Sequence, residues 1–151
     1  MKKLHKLFFS GFFVFFFYTA HTQTFNSDYK VVDEYVRSLG SLDTLNMGTI
    51  SYIVTKKFAS STDKARAIFD WIAYNISFDC KAARNNGNEK MNVDDVLKTR
   101  KANASGYASL FQDMCSAVKI RCLTVDGYVK NDIEQINEKP DEFNHTWAVV
   151  Q

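Results

Sequence analysis

Residues 99–115, with the sequence TRKANASGYASLFQDMC, have the pattern of a short strand that turns into a helix. A cysteine at the start of such a helix becomes a good nucleophile, because unpaired N–H groups and the helix dipole stabilise its thiolate. A histidine on an adjacent strand then serves as base and acid. Here the strand histidine is His145, but the helix start carries Ala104. The sequence therefore predicts the frame of a thiol site without its thiol.

The three cysteines are poorly placed to replace that thiol. Cys115 lies eleven residues after Ala104, roughly 16 Å along the same helix, and belongs to its apolar stripe. Cys122 lies in an apolar strand and Cys80 follows a helix end, so both are interpreted as structural. One disulfide with one free thiol is open, and the spacing does not choose the pair. Without a C-x-x-C pair, a structural zinc site has little support, and no metal or cofactor is predicted.

Other polar residues near the corner are weaker candidates. Ser105 follows Ala104 directly, but one residue along a helix turns the side chain by about 100°, so a serine mechanism is the lesser hypothesis. Asp113 lies opposite the apolar stripe and Asp126 precedes a bend at Gly127. Neither is expected to be the acid that orients a catalytic histidine. The predicted site is thus a retained base position and a vacant nucleophile position.

Two helices and two strands are expected to position this site. A helix is predicted over 61–76, with capping hydroxyls at its start, and a second over 106–118. Strands are predicted over 120–130 and 144–150 because β-branched residues are frequent there. The apolar stripe of the first helix consists of Ala65, Ile68, Phe69, Ile72, Ala73 and Ile76. That of the second consists of Tyr107, Leu110, Phe111, Met114, Cys115 and Val118.

The remaining segments are less regular. Residues 29–39 predict a helix that ends at Gly40, whereas TISYIVTKKF at 49–58 fits either a strand or a helix. Residues 80–92 are interpreted as a polar loop and 94–100 as a short turn. A solvated loop is predicted over 131–143, which contains the only proline of the chain.

The first 22 residues have the three parts of an export signal. A basic start precedes the apolar run LFFSGFFVFFFYTA, and small residues at 20 and 22 suit cleavage before Gln23. The run spans roughly 21 Å as a helix, less than the ~30 Å of a bilayer core, so an uncleaved anchor is the weaker alternative. We expect an exported protein, periplasmic or secreted, with no stable membrane span after cleavage.

Removal of this segment changes the charge of the chain. Three of the nineteen cationic side chains leave and none of the seventeen acids, so the formal charge falls from +2 to −1. A nucleic-acid partner is therefore not implied. About 129 residues remain, enough for one domain with its own core.

Three segments resemble the core of the transglutaminase-like superfamily, particularly its bacterial and kyphoscoliosis-peptidase-like branches. They are KARAIFDWIAYNISFD, DVLKTRKANASGYASLFQDMCSAVKIRCLTVDGYVK and NHTWAVV, in that order and spacing. The family pattern has a cysteine where this chain has Ala104, and a His followed two residues later by Trp, which His145 and Trp147 match. The residues that match the rest of the pattern are Arg100, Lys101, Gly106, Tyr107, Ala108, Leu110, Phe111, Gly127 and Tyr128.

The resemblance implies an α+β, papain-like fold in which the helix at the nucleophile position packs on an antiparallel sheet. It divides the chain into a signal (1–22), a helical lead-in (23–60) and a transglutaminase-like core (61–151). Active members cleave or exchange amide bonds through a thioester, using a cysteine, a histidine and an aspartate on the next strand. We expect this core to be truncated, because the chain ends before a counterpart of that aspartate.

Three hypotheses follow from this comparison with the family pattern. The leading one is an exported, catalytically inactive domain, a pseudoenzyme or a fragment of one, whose cleft binds a peptide, a protein or a cell-envelope polymer. The second is a fragment or mutant of an active cysteine protease or transglutaminase. The third is a purely structural module of a larger envelope protein.

Overall fold

The computed structural model of the chain describes residues 28–85, 90–130, 133 and 143–151. The predicted signal and most of the 131–143 loop lie outside these residues. The elements, in chain order, are α1 (Lys30–Ser38), α2 (Met47–Thr55), α3 (Ser61–Asn75), β1 (Ser77–Phe78), α4 (Cys80–Asn85), α5 (Val93–Thr99), β2 (Lys101–Ala102), α6 (Ala104–Ala117), β3 (Cys122–Gly127) and β4 (His145–Val150).

The main core lies between α6 and the elements around it. Helix α6 packs against α2, α3 and α5 and against both strands β3 and β4. Its Leu110 and Met114 are fully buried, as are Ile50 of α2 and Ile68 of α3. Burying such side chains contributes roughly 1.5–3 kcal/mol each. The predicted α+β class, with this helix packed on an antiparallel sheet, is confirmed.

The ambiguous segment at 49–58 lies mostly in the helix α2. Asn46 caps this helix, because its side-chain oxygen accepts a hydrogen bond from the Thr49 N–H at 2.9 Å. Ile50 and Val54, one helical turn apart, are buried against the core. Tertiary packing and the cap therefore outweigh the β-branched composition.

The apolar stripe predicted for α3 is partly wrong. The buried apolar face includes Ala67, Ile68, Trp71 and Ile72, whereas Phe69 is 52% exposed. Trp71 is buried because α3 packs against other helices over a wide arc, and the Arg100 guanidinium lies 5.2 Å from the centre of its ring. The stripe is rotated relative to the prediction.

Two predicted irregular segments contain short helices. The loop at 80–92 begins with α4, where the Asp79 side chain accepts hydrogen bonds from the N–H groups of Lys81 and Ala82 at 3.0 and 2.9 Å. The predicted turn at 94–100 lies in α5, whose first turn is capped by Asn92. Side-chain caps stabilise helices too short to show a clear hydrophobic period.

The strands form two small sheets. β1 and β2 pair in parallel, and β3 pairs antiparallel with β4, with Gly127 opposite His145 and Cys122 opposite Val150. β3 is shorter than the predicted strand 120–130. Over the described part of the chain, no helix has both the length and the apolar character needed to cross a bilayer.

An ion cluster connects α1 to α3. The Arg66 guanidinium binds both carboxylate oxygens of Asp33, at 3.0 and 3.1 Å, and one oxygen of Asp70 at 3.2 Å. The Arg66 contact lowers the pKa of Asp33. Burial, and then the neighbouring Asp33, raise the pKa of Asp70 to about 6. This cluster lines none of the walls of the site described next.

Candidate functional site

The predicted helix corner is present, and α6 begins at Ala104. Asn103 caps it, because its buried side-chain oxygen accepts a hydrogen bond from the Gly106 N–H at 2.9 Å. A side chain at Gly106 would crowd this corner, since an added Cβ would lie 3.0 Å from the Ala102 Cβ and 3.1 Å from the Met91 sulfur. Glycine therefore allows the first turn of α6 to approach β2 closely.

A tyrosine connects the start of α6 to the end of α3. The Tyr107 hydroxyl donates a hydrogen bond to the Ile76 carbonyl at 2.7 Å, just after the last residue of α3. Burial raises the pKa of Tyr107, which keeps the hydroxyl protonated as a donor. The two helices are thereby held together at the level of Ala104.

Ala104 and His145 line the same cavity, whose volume is about 540 Å³. His145 is half-buried and is the first residue of β4, while Ala104 is the first residue of α6. The structure thus brings together the two positions that the sequence singles out. The cavity is lined by Phe69, Ile72, Ala73, Phe78, Ala104, Tyr107, Ala108, Phe111, His145, Thr146, Trp147, Ala148 and Val150.

The walls of this cavity, hereafter the α6–β4 pocket, are mainly apolar. Aromatic rings come from four different elements, with Phe69 on α3, Phe78 on β1, Phe111 on α6 and Trp147 on β4. Among the described residues, His145 is the only lining side chain that can carry a positive charge. Such a pocket can bind an apolar group and place one imidazole beside it.

The cysteines lie away from this pocket, and all three thiols are free. Cys115 and Cys122 are buried, whereas Cys80 is exposed. Burial raises the pKa of both buried thiols, that of Cys115 to about 12. The interpretation of Cys115 and Cys122 as buried small residues is therefore supported, and neither has the lowered pKa of a reactive thiol.

The other polar residues considered at the corner also lie outside the pocket lining. Ser105 is buried, and Asp113 is exposed. Asp126 accepts a hydrogen bond from the Thr146 hydroxyl at 2.5 Å, across the β3–β4 ladder. In the described part of the chain, no group of three or more His, Cys, Asp or Glu side chains could hold a metal ion.

Sequence reasoning missed two walls of the pocket. Phe69 was placed on a core-facing stripe, and Phe78 was not assigned any role. Their exposed fractions are 52% and 54%, and both rings face the pocket that α6 and β4 share. The available signal was the adjacent pair Ile68 and Phe69, which cannot both lie at the centre of one narrow helix face.

The chain has sequence relatives among known proteins, and a solved structure aligns with it. The chain is 37% identical over 92 residues to the mouse kyphoscoliosis peptidase and 37% identical over 89 residues to the human one, matches that cover 60% and 58% of this chain. It spans only 14% of the length of these relatives. A crystal structure of a TGase aligns over 88% of this chain and 32% of its own, with a TM-score of 0.49 and 15% identity.

The family match covers more than half of the chain and includes the whole pocket. The sequence model of the transglutaminase-like core, described as the transglutaminase-like superfamily, matches residues 49–151. This range contains α3 through β4, and therefore both the capped start of α6 and the strand of His145. The chain belongs to the transglutaminase-like superfamily.

Proposed function

We propose that this chain is an exported, catalytically inactive transglutaminase-like domain that binds a peptide or a cell-envelope polymer in the α6–β4 pocket. One observation carries the proposal: a methyl group, that of Ala104, lines the pocket with His145 at the helix start. A base without a nucleophile cannot form a thioester, since losing the attacking group removes the covalent route.

Two assays test the loss of activity in the full chain. One follows hydrolysis of a glutamine-containing peptide, and the other follows incorporation of a fluorescent primary amine into it. We expect no turnover above the buffer rate, and the same result for His145→Ala. Turnover that His145→Ala abolishes would contradict the proposal.

The apolar walls favour a peptide with an apolar side chain as the bound group. Binding an apolar side chain against aromatic and aliphatic walls is favourable because it removes apolar surface from water. A sugar hydroxyl placed there would lose its hydrogen bonds to water without replacing them. The probes are N-acetyl-Phe-Ala-Ala-amide and the matched N-acetyl-Ser-Ala-Ala-amide, with binding followed by NMR titration. We expect the Phe peptide to bind at least about tenfold more tightly, which corresponds to ~1.4 kcal/mol.

A pair of variants on α6 locates that binding. Ala104→Leu adds three carbon atoms to the pocket wall at the start of α6 and should abolish binding of the Phe peptide. Ala117→Leu adds the same atoms at an exposed position near the other end of the helix and should leave binding unchanged. Equal effects of the two variants, or tighter binding of the Ser peptide, would count against the apolar pocket as the binding site.

Export is a separate part of the proposal. Its support is the basic start, the apolar run of fourteen residues and the small residues before Gln23. Mass spectrometry of the protein recovered from outside the cytoplasm should find Gln23 as its first residue. An intact Met1 in a membrane fraction would indicate an uncleaved anchor instead.

A fragment or mutant of an active thiol enzyme is the second candidate. It is favoured by the capped helix start, which carries the positive end of the helix dipole into a pocket with a histidine. Under this alternative, Ala104→Cys restores the nucleophile, and its thiol should react with iodoacetamide faster than the exposed Cys80 thiol even without the aspartate of the family pattern. If it reacts no faster than Cys80, the inactive binding domain is the better account.

A further inference from the structure

The space above Gly127 at the end of β3 is occupied by another side chain. A Cβ added at Gly127 would overlap Cη2 of the Trp147 ring and lie 2.8 Å from its Cζ3. Non-bonded carbon atoms do not approach each other this closely, so any side chain here would displace the indole. The backbone itself does not require glycine, because φ of Gly127 lies outside the left-handed region.

The register of the β3–β4 ladder explains this contact. Gly127 lies directly opposite His145, and Val125 lies opposite Trp147. Side chains two apart on a strand point to the same face, so Trp147 and His145 share a face of β4. The indole leans diagonally across the ladder and covers the glycine, a distance that aromatic side chains can span.

The same indole stacks against the histidine of the site. The ring centroids of Trp147 and His145 are 6.2 Å apart and their planes are inclined by 27°. This is an offset stack, the arrangement that aromatic pairs prefer. The indole is therefore bounded by the glycine on one side and by the imidazole on another, and both rings line the α6–β4 pocket.

We propose that Gly127 is a positioning residue of this pocket: its missing side chain makes room for the Trp147 indole, and the indole in turn holds the His145 imidazole at the pocket wall. Gly127 does not itself line the pocket. The shape of that wall is thus determined by a residue outside it. The inference rests on the proposed function only in treating the pocket as a binding site.

The end of the ladder does not depend on the glycine for its hydrogen bonds. The Asn144 N–H donates to the Gly127 carbonyl at 3.1 Å, and the Asn144 side chain bonds the N–H and carbonyl of Val129 at 2.8 and 3.0 Å. An alanine at 127 keeps every one of these backbone groups. Replacing Gly127 by Ala therefore tests the space needed by the indole rather than the strand pairing.

The test compares Gly127→Ala, Trp147→Phe and the double variant in the full chain. The readout is the NMR resonances of the His145 ring, assigned by their loss in His145→Ala.

In Gly127→Ala we expect these resonances to shift and the Tm to fall by several degrees. In Trp147→Phe they should also shift, because the indole stack is lost. The clashing atoms Cη2 and Cζ3 belong to the part of the indole that phenylalanine lacks. In the Trp147→Phe background, Gly127→Ala should therefore shift the His145 resonances and lower the Tm at least about threefold less than it does in the native chain.

A glycine elsewhere provides the matched control. An added Cβ at Gly40 would meet no atom within 4 Å, so Gly40→Ala should leave the His145 resonances unchanged. The proposal is overturned if Gly127→Ala also leaves them unchanged, or if its effect is as large in the Trp147→Phe background as in the native chain. If Gly127→Ala fails to fold, the double variant decides: the proposal requires it to fold, and its failure would show that the indole is not the group displaced.

The ring readout needs no ligand, so it separates this inference from the proposed function. If the rings respond as expected but the native chain prefers neither the Phe nor the Ser peptide, the positioning role stands and the binding function fails. If the native chain selects the Phe peptide, Gly127→Ala should reduce the ratio of the two affinities. If Gly127→Ala changes neither this ratio nor the His145 resonances, the positioning role fails while the binding function stands.

Discussion

The two ends of α6 differ in chemistry although they belong to one helix. At its start, the Asn103 cap and the pocket with His145 provide the surroundings of a reactive thiol, and the residue there is Ala104. Near its end, Cys115 does carry a thiol, but it is fully buried and its pKa is raised to about 12. The helix thus has reactive surroundings without a thiol and a thiol in unreactive surroundings.

The difference shows that position determines what a cysteine can do. A thiol is activated by exposure, by unpaired N–H groups at a helix start and by a neighbouring base. Cys115 has none of these, because the apolar core and Cys122 surround it. The number of cysteines therefore says little about reactivity, whereas the burial of Cys115 and Cys122 shows that neither is an activated thiol.

The largest expected effect concerns the protection of the buried thiols. In the native chain, iodoacetamide should label Cys80 at least about a hundredfold faster than Cys115 or Cys122, since the buried thiols react only after local unfolding. Peptide mass spectrometry after timed quenching measures each rate. Denaturation in urea should make the three rates similar. If Cys115 in the native chain were labelled as fast as Cys80, its thiol would not be protected, and the two ends of α6 would not differ as described.

A smaller effect is expected in the pH dependence of stability. Above about pH 9 the Cys115 thiol ionises in the unfolded chain but stays protonated in the folded one, because its folded pKa is about 12. The unfolded state then binds fewer protons, so stability falls as pH rises, by about 1.4 kcal/mol per pH unit from this thiol.

Urea unfolding at several pH values between 8.5 and 10.5 gives the slope of the free energy of unfolding against pH. The difference between this slope in the native chain and in Cys115→Ala is the contribution of the Cys115 thiol. Cys80→Ala serves as the control, since its exposed thiol should leave the slope unchanged. Identical slopes for the native chain and Cys115→Ala would mean that the buried thiol ionises as freely as an exposed one.

The smallest of these effects concerns the cap at the start of α6. Asn103→Ala leaves the Gly106 N–H without its side-chain acceptor in a buried corner and should lower the free energy of unfolding by about 1–2 kcal/mol. Asn46→Ala removes an equivalent but exposed cap on α2 and should cost about half as much. An equal loss of unfolding free energy in the two variants would show that the buried cap at the start of α6 contributes no more stability than an exposed one.

Much of the fold could be predicted from local patterns. The core helix α6 and the strands β3 and β4 follow from the spacing of apolar residues and from β-branched composition. The same patterns left α2 open, because its β-branched residues are buried by packing against α3 and against α6, which lies about fifty residues further along the chain. The short helix α4 was missed because its cap, Asp79, gives no periodic signal.

The site could be predicted in position but not in character. His145 and Ala104 were identified from the helix start, the strand histidine and the family pattern, and they do line one pocket. The aromatic walls from Phe69 and Phe78 depend on how α3 and β1 lie against α6, which spacing does not determine. The role of Gly127 likewise depends on the ladder register, since the contact is with Trp147, twenty residues away.

The most direct test of the vacant nucleophile position is to restore its thiol. In the full chain with Cys80→Ser, the rate of iodoacetamide labelling at Ala104→Cys is compared with that in Ala104→Cys/His145→Ala. If the frame is intact, the thiol of the first variant should react at least about tenfold faster near neutral pH, because His145 favours its thiolate while the helix start is common to both variants. Equal rates in the two variants would show that position 104 is an ordinary helix start, and would contradict the account.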